Sequence, residues 1–118
     1  MNTFVKTPAR RSNTNRNGVP FDERTINAVW SKASFVLGAS PNTRRMDVCG
    51  ALIDRAQYGQ TVDDGTGWEI DHIVPVSQGG TDDLSNLQPL QWQNNRLKSD
   101  KFPTLPAQYC AVKARNRN

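Results

Sequence analysis

The sequence predicts one α+β domain from three observations. Apolar residues recur at helical spacing near residue 26, three short strand-like runs are separated by turn residues, and a second helical stretch begins near residue 91. With 118 residues the chain can bury one modest core and is too short for a second folded domain.

Residues 1–20 are rich in Asn, Thr, Arg and Gly, hold Pro8 and Pro20, and show no hydrophobic period of 2 or 3.6, so they are expected to form a flexible basic arm. Asp22 then caps a helix in which Ile26, Val29, Trp30 and Ala33 share one face. That helix is expected to end before Gly38, with Pro41 in the loop that follows. Val48–Ile53 reads as a short strand, and Tyr58-Gly59 and Gly65-Thr66-Gly67 supply turns. Trp68–Val76 is the second strand, limited by Pro75, and Gln78–Asp83 is a loop in which Gly79 and Gly80 form the turn. Asn86–Leu90 is the third strand, and a helix runs from Gln91 to about Lys101 before Pro103 and Pro106 stop it. The expected organisation is an arm (1–20), one domain (21–102) and a basic tail (103–118).

The composition, 36% apolar and 22% charged with three tryptophans, is that of a globular chain. No apolar run approaches the roughly 20 residues that a membrane span needs, and the N-terminus lacks the apolar stretch of a signal peptide. The expectation is a soluble, cytoplasmic protein. Cys49 and Cys110 make one pair that could in principle bridge, but 61 positions apart and outside any CxxC spacing they resemble neither a disulfide framework nor a zinc site, and the preferred reading is two small buried apolar residues.

The net charge of +4 is unevenly distributed. Residues 1–20 carry Lys6, Arg10, Arg11 and Arg16 with no acid, and residues 101–118 carry Lys101, Lys113, Arg115 and Arg117 with none. Such arms suit a polyanion, because each cation that neutralises a phosphate releases condensed counterions; they equally serve as solvated, solubilising tails.

The stretch WEIDHIVPVSQGGTDDLSNLQPLQWQNNRLK (68–98) holds the only histidine, His72, directly after Asp71, with Asn86 and Asn95 downstream. Three-residue spacing puts Asn95 and Lys98 on neighbouring positions of the last helix, with Gln91 one turn earlier. Pairing of the two strands with the helix across both brings the four polar groups to one cleft. Asp71 and His72 point to opposite sides of an ideal strand, so a bend is expected at its end.

Asp71-His72-Ile73-Val74-Pro75, the Gly79-Gly80 loop, Asn86-Leu87-Gln88 and Asn95-Arg96-Leu97-Lys98 resemble the signature of HNH endonucleases, closely over about 30 residues and weakly upstream through Arg45–Ala51. The resemblance implies a ββα-metal core of a short antiparallel hairpin and a helix, here with an added N-terminal helix and short strand. It implies His72 as general base, Asp71 and Asn95 as ligands of one divalent ion, and Asn86 as the residue that fixes the loop and orients His72. Cleavage would leave 5′-phosphate and 3′-hydroxyl ends. Asn95 stands where the family name has its last histidine, leaving oxygen ligands alone, which suit Mg²⁺ or Mn²⁺. Gln91 and Asn94 stand where many relatives carry the second cysteine pair of a structural zinc, so no structural zinc is expected, and Trp30, Trp68 and Trp92 are expected to supply the packing instead.

Arg96 and Lys98, with Arg10 and Arg11 of the arm, are the candidate nucleic-acid contacts, weighed against a solvated helix face. The implied function is hydrolysis of DNA, with RNA left open. Two alternatives stand beside it: a binding module that keeps the scaffold without cutting, and a toxin or defence effector with the same chemistry. Monomer and homodimer are both open, as is sequence specificity.

Overall fold

Asp22 opens the first helix, α1 (Glu23–Trp30), by accepting a hydrogen bond from the Thr25 amide at 2.9 Å. The structure, a computed structural model, describes residues 11–113. The helix buries Ile26, Val29 and Trp30 and ends at Ser31, earlier than the periodicity suggests. The amides of Lys32 and Ala33 bond back to the carbonyls of Val29 and Trp30, a tightened last turn that keeps Ala33 buried without prolonging the helix.

The chain next forms three short strands, β1 (Ser34–Phe35), β2 (Arg44–Met46) and β3 (Leu52–Asp54), in one antiparallel sheet of order β1-β2-β3. One strand over Val48–Ile53 was the expectation, but Val48 lies exposed in the turn between β2 and β3. That turn is built by Asp47, whose Oδ1 accepts from the amides of Cys49 (2.8 Å) and Ala51 (2.9 Å), while Gly50 takes a φ of +80°.

The second sheet is a hairpin of β4 (Trp68–His72) and β5 (Leu87–Gln91), antiparallel with Trp68 opposite Gln91 and His72 opposite Leu87. The α2 helix (Trp92–Lys98) follows directly. Gln91 caps it, with the side-chain oxygen accepting from the amides of Gln93 and Asn94, and Ser99 at φ +51° ends it, three residues short of the expected limit. Over the described residues the architecture is thus α+β, with two α-helices and two small antiparallel sheets.

The core lies between α1 and the hairpin. The Trp68 ring packs 5.3 Å from that of Trp30 and 4.9 Å from that of Tyr58, with Val29, Ile53, Ile70 and Leu87 around them. Trp92 stays outside this cluster and donates through Nε1 to the Val62 carbonyl.

Both flanking stretches, read from sequence as arm and tail, are docked over their described residues. Asn13 Oδ1 accepts from the Ile70 amide at 2.9 Å, satisfying a donor on the edge of β4 that has no strand partner, and Thr14 is buried. At the other end Asn94 and Val112 bond reciprocally, Nδ2 to the carbonyl at 2.8 Å and amide to Oδ1 at 2.7 Å, and Tyr109 is buried. Cys49 and Cys110, expected as separate apolar side chains, are joined in a disulfide, because the returning C-terminal stretch brings their Cα atoms to 5.3 Å. No helix among the described residues is long and apolar enough to cross a membrane.

Candidate active site

Beyond Trp68, which forms a parallel bridge with Tyr58, the outer edge of β4 has no strand partner, and side chains from both faces of the strand reach the space beside it. A cleft of about 700 Å³ lies there, lined by Asp71 and His72 of β4, Asn95 and Arg96 of α2, and the stretch Arg11–Thr14. The expected bend is therefore unnecessary at these two residues: β4 keeps its ladder through His72, and the irregular backbone begins at Ile73.

Asp71 is 5% exposed. Its Oδ1 accepts from Lys98 Nζ at 3.1 Å and its Oδ2 from Gln88 Nε2 at 2.9 Å. Burial pushes its carboxyl above the ordinary range, and the Lys98 charge and the Gln88 hydrogen bond offset that only in part. His72 is equally enclosed, with the Phe21 ring at 5.9 Å, and its Nε2 lies 2.8 Å from Asp82 Oδ1. Burial opposes ionisation of Asp82, yet hydrogen bonds from His72 and from the Arg16 amide hold its carboxyl below the usual value.

Asn95 donates from Nδ2 to Glu69 Oε1 at 2.8 Å. Glu69, 1% exposed, is also paired with Arg96, whose Nη2 lies 2.7 Å from Oε2. Asn86 lies beside the cleft instead of lining it. Its Oδ1 accepts from the Val74 amide at 2.8 Å, and its Nδ2 donates to the carbonyls of Val74 (3.1 Å) and Thr81 (2.8 Å), tying the two limbs of the loop together. Gly80 is required by this closeness: a Cβ there would overlap the Val74 carbonyl and stand 3.0 Å from Asn86 Nδ2.

The candidate nucleic-acid contacts separate. Arg96 and Arg11 line the cleft and are exposed. Lys98, expected on the helix surface, is 1% exposed, because the last turn of α2 faces the end of β4 and its ammonium donates to Asp71 Oδ1, His72 O and Ile73 O. Arg10 lies outside the described residues.

Three partners escaped the sequence reading. Glu69 stands two residues before Asp71, so strand alternation already puts it on the same face. Gln88 is directly opposite Asp71 in the ladder, which becomes visible once the hairpin register is known. Asp82 reaches His72 across the loop, and no periodic signal marks it.

Among the described residues no group of three or more His, Cys, Asp or Glu side chains is arranged to hold a metal ion. Asp71 and Asn95 nevertheless offer oxygen donors to the same cleft. Each Asp71 oxygen accepts one hydrogen bond and keeps further acceptor capacity, and commitment of Asn95 Nδ2 to Glu69 leaves its Oδ1 available. One carboxylate and one amide suit Mg²⁺, which keeps several waters and takes substrate phosphate oxygens as further ligands. The donor set fits such an ion.

Residues 48–101 match the family model described as HNH endonuclease. Neither a curated protein nor a solved structure matches the chain.

Proposed function

Residues 48–101 form a domain of the HNH endonuclease family, and from that premise we propose that the chain is a metal-dependent endonuclease that hydrolyses DNA phosphodiester bonds, with His72 as general base and Asp71 and Asn95 holding one Mg²⁺ or Mn²⁺ ion. The family suggests nuclease-type function. The observation that carries the finer reading is the meeting of His72, Asp71 and Asn95 along one cleft, which Arg11 and Arg96 also line.

An imidazole is the side chain suited to the first task, since its ordinary pKa of about 6.5 leaves it largely neutral and still basic near pH 7. His72 takes a proton from a water molecule as the water oxygen bonds to phosphorus. The bond from phosphorus to the 3′ oxygen breaks, and that oxygen takes its proton from solvent. Asp71 and Asn95 would hold the ion, which when bound supplies positive charge beside the phosphate oxygens. Glu69 fixes the Asn95 amide and Asn86 holds the loop after β4 closed. Arg11 and Arg96 supply cations for the phosphate backbone, joined by the basic residues of the chain ends.

The test incubates the full chain with supercoiled plasmid and Mg²⁺ or Mn²⁺. Nicked or linear product is expected with metal, none with EDTA, and a rate lower by about 10²- to 10⁴-fold for His72→Ala, the usual contribution of a general base. Equal cleavage by His72→Ala removes His72 from the mechanism. Equal cleavage in EDTA removes the metal.

A further inference from the structure

Asp82 contacts His72 by an atom that can only accept. An ionised carboxylate has no proton to give, so the hydrogen in the 2.8 Å contact between His72 Nε2 and Asp82 Oδ1 belongs to the ring. The carboxylate is itself fixed from two directions. The Arg16 amide, from the stretch before the matched domain, donates to both Asp82 oxygens at 3.1 Å. The residue before it, Thr81, has its carbonyl held by Asn86 Nδ2, the same amide that grips Val74 two residues beyond His72. Asn86 therefore sets the distance between the limb bearing the carboxylate and the limb bearing the imidazole, while Asp82 alone of the two touches the ring.

We propose that Asp82 is the positioning residue for the base: it holds neutral His72 as the Nε2–H tautomer and leaves Nδ1 as the nitrogen that receives the proton of the attacking water. The role rests on His72 being the base. A ring nitrogen that donates to a carboxylate is unavailable as an acceptor, so the choice of tautomer decides which nitrogen works. The same contact persists through proton uptake at Nδ1, because both states of the ring carry a hydrogen on Nε2. Arg16 gives the N-terminal stretch a share in this arrangement through a backbone donor, independent of its side chain.

His72 is the single histidine of the chain, so its two ring nitrogens can be read without assignment ambiguity. Long-range proton–nitrogen correlation spectra of the full ¹⁵N-labelled chain, metal-free at about pH 8, where an ordinary imidazole is neutral, are expected to show the Nε2–H tautomer. Asp82→Ala is expected to yield a mixture of tautomers, and Asp82→Asn, whose amide oxygen still accepts, to keep the Nε2–H form. In plasmid cleavage Asp82→Ala is expected to lower kcat by about tenfold to a hundredfold, as loss of a hydrogen-bond partner does for other functional imidazoles, with KM little changed and Asp82→Asn recovering most of the rate. An Nδ1–H tautomer in the unmodified chain, a tautomer unmoved by Asp82→Ala, or an unchanged kcat each overturns the assignment. Failure of the nuclease reading looks different: the unmodified chain cleaves nothing, while the tautomer still responds to Asp82→Ala and upholds the coupling of the two residues.

Discussion

A lysine ammonium enclosed as fully as that of Lys98 survives only if oxygen atoms replace its water, and three do: Asp71 Oδ1 at 3.1 Å and the carbonyls of His72 and Ile73 at 3.1 and 3.2 Å. These acceptors lie at the end of β4, so one side chain ties the last turn of α2 to the strand end that carries both reactive candidates. Asp71 depends on it in turn. Without the cation the carboxylate would stay buried with Gln88 as its remaining donor, and its carboxyl, already raised by burial, would rise further. Lys98→Met keeps much of the volume and removes the charge. It is expected to cost roughly 3–5 kcal/mol, the usual penalty for leaving one partner of a buried pair, measured as a lower urea midpoint. A loss below about 1 kcal/mol is what a solvated surface pair gives, and would return Lys98 to the helix surface where the sequence reading had put it. Glu69, buried beneath Asn95 and Arg96, shows the same logic with the signs reversed: a carboxylate beneath a guanidinium that remains half exposed.

Elements as short as β2 and β3 depend on cross-strand pairs more than on length. Arg44 and Asp54 are directly opposite in the register, and the guanidinium binds the carboxylate with two hydrogen bonds of 2.7 and 3.0 Å. The Arg44 guanidinium holds the Asp54 carboxyl below the ordinary range, with a further hydrogen bond from Thr66. A depressed carboxyl pKa stabilises the fold above the ordinary carboxylate value, and the contribution is lost as pH falls through the depressed one. With Arg44 43% exposed, water screens the pair, so Asp54→Asn is expected to cost at most about 1 kcal/mol at neutral pH. The gap between the two proteins should close as acid protonates Asp54, read from urea midpoints across an acid series. A gap constant from neutral to strongly acid pH would assign the loss to the Thr66 bond instead. These strands also mark the limit of what sequence could tell. β4, β5 and α2 were legible because Trp68–Gln91 holds two strand-like runs, a Gly-Gly loop between them and the start of a helix-favouring segment within one continuous stretch. Ser34–Phe35 and Arg44–Met46 have no such pattern: two or three residues cannot display a period, and the Asp47 turn shapes only the link from β2 to β3. Around the site, the meeting of Asp71, His72 and Asn95 at one cleft was readable from strand and helix spacing, whereas the roles of Glu69 and Gln88 needed the packed hairpin, and Asp82 and the inward course of Lys98 depend on loop closure and on the angle of α2, which spacing does not encode.

Across the whole molecule, the described parts of both chain ends return to the domain, one to the open edge of β4 and the other to α2. The second return is locked by Cys49–Cys110, which closes a loop of 61 positions from the β2–β3 turn to the stretch after Tyr109. The sequence allowed this pairing and no other, yet whether two thiols bond depends on where the fold brings them and on the surrounding redox poise, neither of which composition records. Asp47 Oδ2 accepts from the Gln91 amide at 2.9 Å and from Asn94 Nδ2 at 3.1 Å, next to the half-cystine Cys49. The disulfide therefore joins a polar cluster that already links the β2–β3 turn to the start of α2, and it adds the C-terminal stretch. Tyr109 is buried there, with its hydroxyl 3.5 Å from Gln88 Nε2, the donor that also holds Asp71. Such a bond persists in an oxidising compartment and is reduced where glutathione keeps thiols free, so it bears directly on the cytoplasmic expectation. Closing a loop of this size by a cross-link contributes about 2–4 kcal/mol. Cys110→Ser, or the unmodified chain under reductant, is expected to lose stability on that scale. Amide exchange should quicken at residues 109–113, while the β4 and β5 ladder keeps its protection. Alkylation of the denatured chain without reductant should then find no free thiol in the unmodified protein. Two free thiols, or equal stability with and without reductant, would show that the C-terminal stretch is held without the disulfide, by burial of Tyr109 and the bonds between Asn94 and Val112.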